Sequence, residues 1–197
     1  MDAIRFREAK SSDAAAIGIV HVASWRETYA GLLPGEILDG LSAEARSAMW
    51  RAVLDDPAAS FGAAVFVAES EGGIVGFGAC FDQRDEALKA RGFDGEFGAI
   101  YVLRSRQRAG VGRALMGLMA QGLLDRGRTA ASLWVLRENE SARSFYERLG
   151  GVPDGEKAAE EAGVMVTEVA YGWSDLSPLV RPRRQGEDPG GALLESN

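Results

Sequence analysis

Ile100-Tyr101-Val102-Leu103-Arg104-Ser105-Arg106-Gln107-Arg108-Ala109-Gly110-Val111-Gly112-Arg113-Ala114-Leu115 is the stretch that orders the rest of the chain. β-favouring residues enter it, glycines stand at Gly110 and Gly112, and Val111, Ala114, Leu115, Leu118, Met119, Gly122 and Leu123 leave it at helical spacing. That pattern is a strand, a turn and a helix. The first amides of a helix lack an intrahelical acceptor, and the helix dipole adds partial positive charge there. Glycine lets a ligand approach such a backbone closely, so the turn reads as an anion cradle. Arg104, Arg106, Arg108 and Arg113 lie in the same stretch, and no acid occurs between Glu96 and Asp125. In a chain of formal charge -7, with 22 Lys and Arg against 29 Asp and Glu, this local excess points to a phosphate-bearing ligand. Taken alone, the glycines equally suit an ordinary turn with solvated arginines. Other phosphate motifs fit worse: Leu115 stands where the dinucleotide fingerprint has its third glycine, and no Gly-Lys pair makes a P-loop.

Working outward, residues 4–7 read as a first strand and 14–29 as a helix behind the capping residues Ser11, Ser12 and Asp13. Gly31 and Pro34 break it; a second helical region spans about 34–54, with a joint near 40–42. Apolar runs at 63–69 and 74–81 flank Glu71-Gly72-Gly73, a hairpin signal, and a charged connection covers 82–91. Strands follow at 93–103, 131–136 and 164–173, helices at 110–127 and 139–149, with one further strand left open between 149 and 164. The order is mixed α/β, a mostly antiparallel meander followed by a crossover unit. Residues 1–176 form one expected domain, and 177–197, with three prolines and three glycines, an expected mobile tail.

Downstream stands Asn139-Glu140-Ser141-Ala142-Arg143-Ser144-Phe145-Tyr146-Glu147-Arg148-Leu149-Gly150. Asn139 is a natural N-cap, and Ala142, Phe145, Tyr146 and Leu149 share a face, where packing alone accounts for Phe145 and Leu149. Together, Gln107-x-x-Gly110-x-Gly112 and Asn139-x-x-Ala142-x-x-Phe145-Tyr146-x-x-x-Gly150 resemble the two signature motifs of the GNAT (GCN5-related) N-acetyltransferases, in the family's order and at family-like spacing. The resemblance covers about residues 3–175. It implies the GNAT fold: a central, mostly antiparallel twisted sheet, flanked by helices and splayed at the cofactor site, with a bulge or splay in the strand before the turn. It implies acetyl-CoA as co-substrate, with its pantetheine arm along Ile100, Tyr101 and Val102. Gln107, Arg108, Ala109, Gly110, Val111, Gly112 and Arg113 would hold the pyrophosphate. Asn139 and Ala142 would contact the arm, and Tyr146 would lie at the sulfur and protonate the leaving thiolate. A phenol with a pKa of about 10 suits that task.

Transfer to an amine requires removal of its proton. Glu96 resembles the glutamate often found on this strand in the family, although a strand-edge carboxylate facing water explains it too; Asp82, Asp85 and Glu86 are reserves. Ile17, His21, Trp25 and Tyr29 form one helical stripe, which by itself is core packing. Residues 20–34 also resemble a bacterial branch that includes polyamine acetyltransferases, where this region walls the acceptor pocket. The resemblance thus makes Trp25 and Tyr29 part core and part substrate site. His21 reads as a hydrogen-bonded packing residue. The expected acceptor is a primary amine: a polyamine, an antibiotic, an amino acid or a protein N-terminus. The expected enzyme is an acyl-CoA N-acyltransferase. Its rivals are a GNAT-fold acyl-CoA-binding module without turnover and a regulatory scaffold.

The bulk properties set outer limits. Hydrophobic residues make up 46% and charged residues 26%, an ordinary globular mix, and the acidic balance argues against nucleic acid as a partner. Cys80 is the one cysteine, inside an apolar run, and reads as a structural thiol in a reducing compartment. No signal-like or membrane-length apolar segment occurs, so a cytoplasmic protein without a membrane partner is expected. No His, Cys and acid cluster has metal-ligand spacing, so no metal is expected. The expected partners are acetyl-CoA and the acceptor amine, with a homodimer as the open alternative to a monomer.

Overall fold

A computed structural model describes residues 3–161 and 163–180. β1 (Arg5–Glu8) leads through a 3-10 turn at Ser11–Asp13 into α1 (Ala14–Tyr29), α2 (Gly35–Asp39) and α3 (Ala43–Asp55). β2 (Ala64–Ser70), β3 (Gly73–Asp82) and β4 (Gly95–Val102) form a meander, with α4 (Glu86–Ala90) before β4. α5 (Val111–Leu124), β5 (Ala131–Leu136) and α6 (Glu140–Arg148) follow; then come β6 (Val152–Glu161), β7 (Val164–Trp173) and α7 (Ser177–Val180). The strands make one sheet in the order β1-β2-β3-β4-β5-β7-β6, antiparallel at every contact except β4–β5. This is the expected mixed α/β architecture.

The two faces of the sheet are covered separately. α5 buries Val111, Leu115, Met116, Met119, Ala120 and Leu123; Val111, Leu115, Met119 and Leu123 belong to the helical repeat read from the sequence, whose Ala114, Leu118 and Gly122 are half-buried. Most of these residues pack with Phe97, Leu133, Val135, Tyr146, Val169, Tyr171 and Trp173. On the other face Ile17 and Val20 of α1 and Trp50 of α3 pack on Val65, Val67, Phe77, Ala79, Phe81 and Ala99. Cys80 lies fully buried, and burial pushes its thiol up to about 11, which suits a structural and not a nucleophilic cysteine.

The parallel contact at the centre is short. Only Gly95↔Ala131 and Glu96↔Ser132 pair between β4 and β5. One residue further on, the β3–β4 register slips between Ala79↔Ala99 and Cys80↔Phe97, which leaves Gly98 as an extra residue on β4. A Cβ at Gly98 would lie 2.6 Å from the Phe81 ring, so this bulge needs glycine. A bulge bends its strand and increases its twist. Beyond it β4 pairs with β3 alone, and the facing edges of β4 and β5 diverge into a cleft.

Three parts differ in detail from the sequence reading. The charged connection contains α4, which Asp85 caps by accepting from Ala87 N and Leu88 N at 3.0 and 3.2 Å. Five residues are too few for a periodic signal. The strand left open is β6, ten residues long; its Pro153 and its many charged residues suit a sheet edge. The expected tail begins with α7, whose Leu179 is buried in the α5-side core. Residues 181–197 lie outside the described residues. No helix among the described residues is long and apolar enough to cross a membrane. No group of three or more His, Cys, Asp and Glu among them is arranged to hold a metal.

Candidate functional site

The turn between β4 and α5 stands at the mouth of the cleft. Arg108 and Gly110 are both left-handed, with φ of 59° and 83°. No side chain accepts from the first turn of α5, whose first helical bond runs from Ala114 N–H to Gly110 O at 3.0 Å. The amides of Val111, Gly112 and Arg113 therefore open outward at the positive end of the helix. A Cβ on Gly110 would meet nothing within 4 Å, so that side of the turn is open. Gly112 also has a packing role. A Cβ there would lie 3.2 Å from Phe145 Cζ, so its smallness seats α6 against α5. Gln107 Nε2 donates to Val102 O at 3.0 Å and ties the turn to the end of β4. Arg104 leaves the expected arginine cluster. Its amide donates to Glu27 Oε2 at 2.8 Å and its guanidinium to Glu27 O, which docks the turn on α1. Ala109 is exposed, and Val111 is buried with Ala68, Val75 and Leu115, against which Ile100 and Val102 pack.

Tyr146 reaches the cleft from α6. It is 7% exposed, set edge-on to Trp173 and tilted to Tyr171. Burial holds its hydroxyl well above the usual phenol range, and the neighbouring Tyr101 phenol adds to this, so the group is a proton donor at neutral pH. That hydroxyl makes none of the side-chain hydrogen bonds found among the described residues, and it is not among the fully covered polar atoms. α6 is fixed from three sides. Asn139 Oδ1 accepts from Ala142 N at 3.2 Å. The Tyr171 hydroxyl donates to Glu147 Oε1 at 2.7 Å and accepts from Arg143 Nε at 3.2 Å. Trp173 Nε1 donates to Leu149 O at 3.0 Å. Asn139 is thus the cap read from sequence, and Ala142 packs on the α5-side core.

The opposite wall is α1. His21 stacks on Tyr101 of β4, with centroids 4.8 Å apart, and accepts on Nδ1 from Trp50 Nε1 at 2.9 Å. Burial, aided by the cation of Arg46, lowers its pKa to about 4, so it is neutral, as expected of a packing residue. Trp25 and Tyr29 stand T-shaped at 4.9 Å and join a cluster with Leu33, Leu38 and Leu136 of β5. The stripe therefore crosses from β4 to β5, over the strands that part company.

Glu96 lies at the closed end of the cleft, but not free. Arg84 grips both carboxylate oxygens, Nε to Oε2 at 2.9 Å and Nη2 to Oε1, and its own amide donates to Oε2 at 3.3 Å. Arg84 escaped the sequence reading because it sits in the unpatterned connection. Its signal was one of charge and spacing alone, a basic residue beside the hairpin end. Lys157 of β6 was missed as well. It lies 4.0 Å over the Trp134 ring and bonds Asp85 Oδ2 at 3.2 Å, with Glu168 3.8 Å away. Of the reserve acids, Asp85 is spent on Lys157, Trp134 and its helix cap, and Asp82 on a two-bond pair with Arg128 at 3.0 Å. Glu86 pairs with Lys89 at 3.5 Å on the surface.

Comparison with known proteins yields matches over this same region. A family model described as the acetyltransferase (GNAT) family matches residues 23–151. A Bacillus subtilis (strain 168) protein described as the uncharacterized N-acetyltransferase YuaI is 38% identical over 177 residues, 89% of this chain and 96% of that one. Among solved structures, the paia N-acetyltransferase of Thermoplasma acidophilum in complex with coenzyme A superposes with a TM-score of 0.65 at 18% identity, covering 85% of this chain and 98% of that one. The yncA protein of Salmonella typhimurium with its cofactor acetyl-CoA gives 0.63 at 18% identity, covering 89% and 95%.

Proposed function

The chain belongs to the acetyltransferase (GNAT) family, and from that premise we propose that it transfers the acetyl group of acetyl-CoA to a primary amine by direct attack in a ternary complex. The observation that carries this reading is the pairing of two features across one cleft. An uncapped helix start offers its amides at one end, and the Tyr146 hydroxyl stands over the parted strands at the other.

The chain's residues fit acetyl-CoA as co-substrate. The amides from Arg108 to Arg113 receive the pyrophosphate, with Arg108 and Arg113 adding charge; neither makes an ion pair among the described residues. The edge of β4 at Ile100, Tyr101 and Val102 lacks a partner strand on the β5 side and is open to the amide groups of the pantetheine arm. Asn139 and Ala142 border the arm from α6. The same β4 edge offers amides to the thioester oxygen as negative charge develops on it.

The amine enters from the α1 wall, past Trp25 and Tyr29. Its nitrogen forms the new C–N bond as the C–S bond breaks, and Tyr146 gives its proton to the departing thiolate. Glu96 helps to remove the amine's proton. Arg84 occupies both of its oxygens, so it acts through water or after one of those bonds opens. The decisive experiment is thiol release from acetyl-CoA against a panel of amines, beside calorimetry of CoA binding. Amine-dependent release is expected. CoA binding without release by any amine would make the chain a binding module.

A further inference from the structure

The α1 wall carries three buried polar atoms with no hydrogen-bond partner among the described residues: His21 Nε2, Ser24 Oγ and Trp25 Nε1. Positions 21, 24 and 25 share a helix face. His21 is 6% and Ser24 2% exposed. Each of the three atoms offers a proton. Trp50 donates to His21 Nδ1, which leaves the proton of the neutral ring on Nε2, and an indole nitrogen is only ever a donor. Buried polar groups are as a rule paired, so three idle donors on one face are the exception that calls for an acceptor.

Arg46 of α3 stands over the same spot. Its guanidinium lies 5.6 Å from the centre of the Trp25 ring. Its one side-chain hydrogen bond among the described residues is a long contact of 3.8 Å to Met49 Sδ, and no carboxylate there pairs with it. In a chain with seven more acids than bases, a half-buried arginine without an acid is conspicuous. The acids of the cleft gather elsewhere, at Glu96, Asp85 and Glu168, each beside Arg84 or Lys157. One part of the acceptor side thus carries three acids against two bases, an excess of negative charge; the other offers a guanidinium and idle donors and suits an anion.

We infer that the acceptor is an amine that also bears a carboxylate, an amino-acid-like zwitterion, whose carboxylate is held by Arg46 with Trp25 Nε1 and His21 Nε2 as further donors. The inference rests on the acetyl-transfer reading. Arg46 is tethered by a ring face and a sulfur, so it turns toward a carboxylate at little cost. A guanidinium and a carboxylate make paired, charge-assisted bonds, which a polyamine has no group to match.

The test measures thiol release from acetyl-CoA with α-amino acids, with the decarboxylated amines of the same side chains and with spermidine. It uses the native chain, Arg46→Met and Arg46→Lys. The expected kcat/KM is about tenfold or more higher for the amino acids than for their decarboxylated partners. Arg46→Met brings that ratio toward one, through KM, and Arg46→Lys keeps part of it. Calorimetry of N-acetyl amino acids on the CoA-loaded chain reads the same contact without turnover. Preference for decarboxylated amines or spermidine, or an unchanged ratio in Arg46→Met, overturns the inference. If CoA binds but no amine releases thiol, the acetyl-transfer reading fails, and the calorimetry decides alone: N-acetyl amino acids that do not bind, or bind equally to Arg46→Met, overturn the inference too.

Discussion

The turn at residues 107–112 and the α1 face at residues 21–25 both present hydrogen-bond donors to one cleft, yet they are built from different material. The turn offers backbone. Its donors are amides set by the left-handed conformations of Arg108 and Gly110 and by an uncapped helix start. The α1 face offers side chains, and what fixes them comes from far away in the chain: Trp50 of α3 and Tyr101 of β4 for His21, Arg46 for Trp25. A site made of contiguous backbone suits one unvarying ligand. A site made of side chains on three separate elements changes its ligand with a few substitutions.

Tyr146 stands between the two regions, and its removal has the largest expected effect. Tyr146→Phe retains the ring against Tyr171 and Trp173, so α6 still packs. What disappears is the proton donor. A group that acts in the transition state contributes little to ground-state binding. Turnover with any good acceptor should fall by roughly the 10²–10⁴ of a general acid, with acetyl-CoA affinity nearly unchanged. Steady-state rates beside calorimetry separate the outcomes. Equal turnover reduces Tyr146 to packing. A parallel loss of affinity assigns its hydroxyl to the cofactor region.

The second prediction probes the α1 face through pH. Burial lowers the pKa of His21 from 6.5 to about 4, so the folded chain binds fewer protons than the unfolded chain between those values. Stability linked to this residue is complete above about pH 6.5 and is lost as pH falls toward 4, by up to about 3 kcal/mol from the shift alone. Urea unfolding at pH 7.5 and 4.5 should show His21→Gln losing less stability over that interval than the native chain. Equal losses would place the acid sensitivity in carboxylates such as Asp13 and Asp82, whose arginine partners hold them below the usual range.

These two regions also differ in how far they could be read in advance. The turn, α5 and α6 were legible because each signal lies within a few consecutive residues: glycine spacing, an N-cap, a helical repeat. The bulge at Gly98 was implied by family resemblance but invisible in periodicity, since an extra residue merely looks like continued strand. The stripe Ile17, His21, Trp25 and Tyr29 was visible, but its partners were not. Arg46 carries no signal in the sequence; the packing of α3 across α1 is what brings it to the Trp25 ring. Glu96 could be picked out on its strand, but the grip of Arg84 depends on how the connection after β3 returns over it. Gly112 shows the same limit from the other side. Its motif gave it a place at the ligand, but its close approach to Phe145 could not be read beside that.

Gly110 tests the backbone character of the turn. A Cβ there meets no protein atom within 4 Å, so Gly110→Val should fold, with about 1–2 kcal/mol of left-handed strain. Any loss of CoA affinity beyond roughly thirtyfold, the equivalent of about 2 kcal/mol, would then exceed what strain of that size accounts for and report a blocked approach. Calorimetry and urea unfolding on the same protein measure the two contributions. Unchanged CoA affinity in the folded variant would remove the pyrophosphate from this turn.

The smallest expected effect lies next door and separates charge from conformation at one residue. Arg108 is not glycine, yet it sits at a φ of 59°, where an ordinary side chain is disfavoured by about 1–2 kcal/mol. Arg108→Gly removes that strain but adds backbone freedom to the unfolded chain, worth about 0.5–1 kcal/mol in the opposite sense. The net change in stability should be a gain of no more than about 1.5 kcal/mol. Arg108→Ala keeps the strain and should leave stability near that of the native chain. Both lose the same guanidinium, so both should weaken CoA binding equally if Arg108 acts through its charge. A weaker Ala variant beside a near-native Gly variant would mean that the residue matters for the shape it gives the amides, and the turn would then bind by backbone alone.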